Sequence, residues 1–129
     1  MEGKSRNEYR GFRDLKVFQL SYQLALEVFE ATKGFPKEEK YSLVDQIRRS
    51  SRSVPANIAE AWYKRRYPKS FVSKLVDSSG EAGETEVWID FSADHGYLIQ
   101  ERKLHLLEKY DEVNKMLGSM INQPEKFCH

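Results

Sequence analysis

Apolar residues recur along this chain at three- and four-residue intervals, in four blocks separated by glycine and proline, which is the period of amphipathic helices. In the first block Leu15, Phe18, Tyr22, Ala25, Val28 and Phe29 share one helical face behind Asp14, which suits an N-cap. Gly34 offers the stop, and Phe35-Pro36 turns the chain. The second block opens with Glu38 and Glu39, which match the positive end of a helix dipole, and carries Tyr41, Val44, Ile47, Ser51, Val54, Ile58 and Trp62. Pro55 lies inside it. Because Ile58 and Trp62 keep the phase, this proline predicts a kink near residues 51–54 rather than a break.

Tyr67-Pro68 makes the next turn, with Pro68 suited to the first helical position. The third block holds Phe71, Leu75, Ser78, Ala82, Val87, Ile89 and Ala93 and runs to about Tyr97. The fourth follows His95-Gly96, with Leu104, Leu107, Tyr110, Val113, Leu117 and Met120 close to heptad spacing. Ser78, Ser79, Gly80, Ala82 and Gly83 crowd the middle of the third helix, and small residues there predict close approach of another backbone. Four helices with short turns predict an all-α fold, an antiparallel up-down four-helix bundle with a proline-kinked second helix. The organisation expected is a flexible arm over residues 1–11, the bundle over 12–121 and a polar tail over 122–129.

Composition agrees with one hydrophobic core and solvated outer faces: 129 residues, 40% hydrophobic and 32% charged. The polar N-terminus lacks the apolar centre of a signal peptide, and no run approaches the roughly 18 apolar residues of a membrane span. The single cysteine, Cys128, has no partner for a disulfide or a metal knuckle, so a reducing, cytoplasmic setting is expected.

Catalytic and cofactor chemistry finds little support. A di-iron bundle needs Glu-x-x-His pairs, and the residues three before His95, His105 and His129 are Ser92, Arg102 and Lys126. Glu101 and His105 share a helical face, which reads as a surface contact rather than half a metal site. There is no Gly-x-Ser-x-Gly elbow and no His-Glu-x-x-His. Gly80-Glu81-Ala82-Gly83 is surrounded by acid that would repel phosphate. No catalytic residue, metal or cofactor is expected.

Charge, in contrast, is sorted along the chain. Residues 46–69 hold Arg48, Arg49, Arg52, Lys64, Arg65, Arg66 and Lys69 against one acid, Glu60. Residues 77–101 hold Asp77, Glu81, Glu84, Glu86, Asp90, Asp94 and Glu101 and no lysine or arginine. Two readings follow. In one, the second and third helices pair about a turn near residue 66, which brings Arg48 and Arg49 level with Ala82 and Gly83; Glu81 and Glu84 flank that level and would form ion pairs that fix register or a subunit contact. In the other, Lys64, Arg65, Arg66 and Lys69, with Tyr63 and Tyr67 available for stacking, form a phosphate-binding patch at one end of the bundle. The 64–69 cluster fits either a solvated face or a binding site.

The stretch Phe35-Pro36, Glu39, Tyr41, Leu43, Gln46-Ile47-Arg48-Arg49-Ser50-Ser51, Ser53-Val54-Pro55-Ala56-Asn57-Ile58-Ala59-Glu60 resembles the signature of the four-helix family named after proteins encoded in 23S ribosomal RNA intervening sequences. The resemblance covers about residues 12–121, continuing through Phe71, Leu75, Gly80, Glu84, Glu86 and Gly96-Tyr97-Leu98. It departs at Ala61, where glycine is usual, and at Glu81, where serine is usual. The resemblance implies homopentameric rings of four-helix protomers. It also implies a fold similar to the accessory protein of diversity-generating retroelements, which binds nucleic acid and a reverse transcriptase. Matched by position, Gln46, Arg49, Asn57 and Glu60 carry the polar signature, beside Arg48, Pro55 and Glu84. Asn57 and Glu60 are expected to satisfy backbone groups freed near Pro55, and Arg49 to bridge carboxylates such as Glu84. The function expected is therefore non-enzymatic: a homo-oligomer, pentameric by resemblance, that binds RNA or DNA through repeated basic patches as an accessory to a nucleic-acid enzyme. The alternative is a structural or protein-interaction module whose charges form subunit contacts.

Overall fold

The computed structural model describes residues 9–129. Four α-helices account for most of it: α1 (Lys16–Thr32), α2 (Leu43–Trp62), α3 (Pro68–Asp94) and α4 (Gln100–Asn122). Short 3-10 turns at Phe12–Asp14, Lys37–Glu39 and Pro124–Lys126 complete the described chain, in which no strand occurs. Each helix packs on the next, and α1 also meets α4, so the four close into a bundle. Partner positions run in opposite senses on neighbouring helices. Ser50 meets Thr85, Val54 meets Ser78 and Glu60 meets Lys74 between α2 and α3. Ser79 meets Asn114 and Asp90 meets Lys103 between α3 and α4.

The core consists of one inward stripe per helix: Val17, Leu24 and Val28; Ile47, Val54 and Ile58; Phe71, Leu75 and Ile89; Leu106, Tyr110, Val113 and Leu117. The stripes on α2 and α3 match the periodicity of the sequence except that Tyr41 and Val87 are exposed; on α4 Leu104 is exposed and Leu107 half-buried, and Leu106 takes the core position instead. The stripe on α1 is different. Phe18, Tyr22, Ala25 and Phe29, expected inside, line an outer groove against α2, while Val17, Ser21, Leu24 and Thr32 are buried. α1 carries two apolar stripes, and the one that includes the small hydroxyls of Ser21 and Thr32 faces the core.

Helix ends depart from the expected caps. Leu15, not Asp14, is the N-cap of α1, and the Asp14 carboxylate accepts a hydrogen bond from the Arg10 amide at 2.7 Å within the preceding turn. Glu38 and Glu39 belong to a separate 3-10 turn, and α2 begins at Leu43. Pro68 does occupy the first turn of α3. α2 runs without interruption through Pro55. Around it Ser53 Oγ donates to the Arg49 carbonyl and Asn57 Nδ2 to the Ser53 carbonyl, at 2.9 Å each.

Residues 1–8 of the expected N-terminal arm lie outside the described residues. Tyr9 packs edge-on against Trp62 and tilts over Phe127. Phe127 in turn stacks on Phe71, and Cys128 is buried, so the segment beyond α4 closes one end of the core. Burial pushes the Cys128 thiol up, which keeps it protonated and poorly nucleophilic.

Buried hydroxyls are satisfied locally or across helices: Ser78 donates to the Val54 carbonyl at 2.8 Å, and Thr85 Oγ1 lies 2.8 Å from Ser50 Oγ. Tyr110 is the exception. Its hydroxyl is buried with no hydrogen-bond partner among the described residues, and burial pushes its pKa far up. Removing a desolvated, unpaired hydroxyl relieves about 1 kcal/mol, so Tyr110→Phe is expected to raise the urea midpoint. A drop in that midpoint would mean that the hydroxyl is bonded in solution.

Candidate nucleic-acid interface

One end of the bundle collects the start of α1, the α2–α3 turn and the chain beyond α4. Ring contacts fix this: Phe12 meets Tyr63 at 6.1 Å, Tyr9 meets Trp62 at 6.3 Å, and the His129 amide reaches the Arg65 carbonyl at 3.4 Å. The fold therefore brings Arg10, Arg13 and Lys126 to the end that carries Lys64, Arg65, Arg66 and Lys69. Arg13 lies 4.5 Å over the Phe12 ring, which joins it through Phe12 to Tyr63. Sequence reading missed Arg10, Arg13 and Lys126, because they stand more than 50 residues from the 64–69 run.

Within that run the side chains divide. Lys64, Arg66 and Lys69 are exposed and make no ion pair among the described residues. Tyr63 and Tyr67 are 78% and 63% exposed, so both present ring faces to solvent. Arg65 does not join them. Its guanidinium stacks 3.5 Å over the Trp62 ring and its Nε donates to the Trp62 carbonyl at 2.8 Å. Burial lowers its pKa, although an arginine remains charged at neutral pH. Arg65 is a structural clamp on the end of α2 rather than a free cation, since the turn folds it back onto Trp62.

The signature residues are spread along the bundle. Arg49 spans α2 and α3, bonding Glu84 through Nη2 and Glu81 through Nη1 at 3.5 Å, and these carboxylates raise its pKa. Glu84 also accepts from Trp88 Nε1 at 3.1 Å. Glu81, one of the two departures from the signature, thus adds a second acid to this clamp. Ala61, the other, is fully buried in the last turn of α2. Arg48 does not join the carboxylates. It turns to α1, where Nε donates to Thr32 Oγ1 at 2.8 Å, Nη2 to the Phe29 carbonyl, and the guanidinium lies 4.3 Å over the Phe29 ring. The reason is the helical period: adjacent residues differ by about 100°, so Arg48 and Arg49 face different neighbours.

Asn57 bonds the Ser53 carbonyl as expected, whereas Glu60 pairs with Lys74 on α3 at 2.6 Å instead of with backbone near Pro55. Gln46 is exposed and lines a shallow pocket at the opposite end with Glu39, Trp88 and His95. There the Glu39 carboxyl is held below its usual range by Ser42 and Tyr97, whose hydroxyls donate to it at 2.7 and 2.9 Å. His105 pairs across helices with Glu27 at 2.9 Å rather than with Glu101. Gly80 and Gly83 mark no close approach within the protomer, since a Cβ at either would meet nothing within 4 Å.

Of the acids of α3, Asp77 lies nearest the basic end and is paired with Lys74 at 3.8 Å. Glu86 is half-buried against α4, and burial, then the nearby Asp111 and Asp90, push its carboxyl above the ordinary range; Asn114 Nδ2 donates to it at 3.3 Å and opposes that. A carboxyl whose folded pKa is raised is penalised when ionised. The penalty is absent below the unfolded pKa and complete above the folded one. Glu86→Gln is therefore expected to stabilise the protein at neutral pH, with the gain vanishing below about pH 4. Thermal melts at the two pH values check this, and a constant difference would contradict it.

Geometry thus defines a four-helix bundle with polarised charge: a basic end whose Lys64, Arg66 and Lys69 have no ion pair among the described residues, beside exposed tyrosines, and an acidic α3 held partly by Arg49, Lys74 and Lys103. The chain belongs to the 23S rRNA-intervening sequence protein family, whose model matches residues 13–119. It is similar to a protein of the S23 ribosomal protein family from Bacteroides thetaiotaomicron, whose crystal structure it matches with a TM-score of 0.74 and 31% identity, over 82% of this chain and 95% of that one. No curated protein matches the chain. Among the described residues no helix is long and apolar enough to cross a membrane, and no three His, Cys, Asp or Glu side chains gather as metal ligands would.

Proposed function

We propose that this protein is a non-enzymatic, self-assembling bundle that binds RNA or DNA through its basic end and serves as an accessory to a nucleic-acid enzyme in the cytoplasm. The observation that carries this reading is the trio Lys64, Arg66 and Lys69, exposed, without ion pairs among the described residues, and interleaved with exposed Tyr63 and Tyr67. Cations left free and aromatic faces left open are what a flexible phosphate backbone with unstacked bases engages. Arg10 and Arg13 widen the same surface, which makes it broader than the sequence run alone. Assembly would repeat the patch and convert weak single contacts into avidity.

The competing reading, a protein-interaction module, draws on the Arg49 clamp, where basic and acidic segments already satisfy one another. Affinity for a mixed single-stranded RNA, titrated against salt, separates the two. Phosphate contacts give a steep loss of affinity with rising salt, and a protein that ignores RNA at low salt overturns the nucleic-acid reading.

A further inference from the structure

Two surfaces of this bundle are apolar and exposed. The first is the groove between α1 and α2, about 530 Å³, walled by Phe18, Tyr22, Leu26 and Phe29 and floored by Ala56 and Ala59. Tyr22 and Leu26 are each about half exposed in it. The second is an outward meridian of α3, where Val76, Gly80, Gly83, Val87 and Phe91 recur every three or four residues. Val76, Val87 and Phe91 are exposed, and the two glycines have open space where a side chain would stand. Nothing within the protomer requires glycine there, yet each weakens the helix; a second backbone lying close would supply the reason.

The two faces also carry opposite charge. Arg52 lines the groove over Phe29 and has no ion pair among the described residues. The α3 meridian is bordered by Asp77, Asp90 and Asp94, and Asp94 is likewise unpaired among them. We propose that the α3 meridian of one copy seats in the α1–α2 groove of a second copy, glycines against the groove and acids toward Arg52. The two faces are made of different residues, so the contact is heterologous and each copy both gives and receives. This rests on the self-assembly part of the reading above and assigns it surfaces distinct from the basic end.

The test is the solution mass of the full chain by light scattering on a sizing column at high protein concentration. Leu26→Glu spoils the groove and leaves the meridian intact. The double variant Gly80→Gln, Gly83→Gln fills the meridian, leaves the groove intact and raises helix propensity, so its fold is preserved; helical content by circular dichroism checks both variants. The expected results are a multi-chain wild type, single chains for each variant, and a two-chain complex when the variants are mixed, because one intact face of each remains. A variant that keeps the wild-type mass, or a mixture that stays single-chain, overturns the pairing of faces. A wild-type single chain that still binds RNA overturns the contact and leaves the nucleic-acid reading standing; an assembly through these faces that ignores RNA does the reverse.

Discussion

Replacing Lys64, Arg66 and Lys69 together with alanine is expected to abolish most binding to single-stranded RNA without changing fold or assembly. Each phosphate neutralised on a single strand contributes about −0.7 to the slope of log affinity against log salt. Three such contacts per protomer give a slope near −2, or a loss of about 20-fold in affinity between about 50 and 200 mM salt. The triple variant should lose that much of the slope, and repeated patches in an assembly would enlarge the difference. Arg65→Ala is the internal contrast. Because Arg65 stacks on Trp62 and bonds its carbonyl, its loss should lower stability more than it flattens the salt slope. Fluorescence anisotropy across salt, beside light scattering, reads both effects. A triple variant that binds as the wild type does, or that falls apart as an assembly, would exclude the basic end as a phosphate site.

The second large effect concerns the core beneath that end. Phe71 is almost fully buried and stacks on Phe127 with ring centroids 6.0 Å apart. Phe71→Ala should cost about 3–5 kcal/mol, the range for emptying a buried aromatic site, visible as a large fall in the urea midpoint. It should also loosen residues 124–129, so amide exchange there is expected to rise more than in the middle of α3. Phe91→Ala provides the control. That ring is half exposed on α3, and its loss should change the midpoint of an isolated protomer by less than about 0.5 kcal/mol. Similar midpoints for the two variants would contradict the core position of Phe71, and unchanged amide exchange over residues 124–129 would show that the Phe71–Phe127 contact does not seal that end.

Much of the site was legible before any tertiary contact was known, and the residues that were not share one cause. The run Tyr63 to Lys69 stands out in sequence because it is local. Arg10, Arg13 and Lys126 join it only because antiparallel helices return both chain ends to the α2–α3 turn. The pairing of Arg49 with Glu84 follows from register once two helices form a hairpin, whereas the departure of Arg48 toward α1 depends on the face each residue takes. Arg65 looked equivalent to its neighbours, and a turn that folds it onto Trp62 made it a clamp.

Helical class, helix number and most inward stripes follow from the amino-acid order alone, because a period of 3.6 residues and its glycine and proline punctuation are local properties of the chain. That order also determined family membership, through a contiguous motif. Tertiary structure decided which of the two apolar stripes of α1 is buried, what the glycines of α3 face, and which cations remain free. Those outcomes depend on the space and charge that neighbouring helices offer, and a stripe on one helix does not specify its neighbour. Phe18, Tyr22 and Phe29 recur on α1 at helical spacing just as Val17, Leu24 and Val28 do; only the packing of α1 against its neighbours leaves the first set lining the outer groove and places the second in the core.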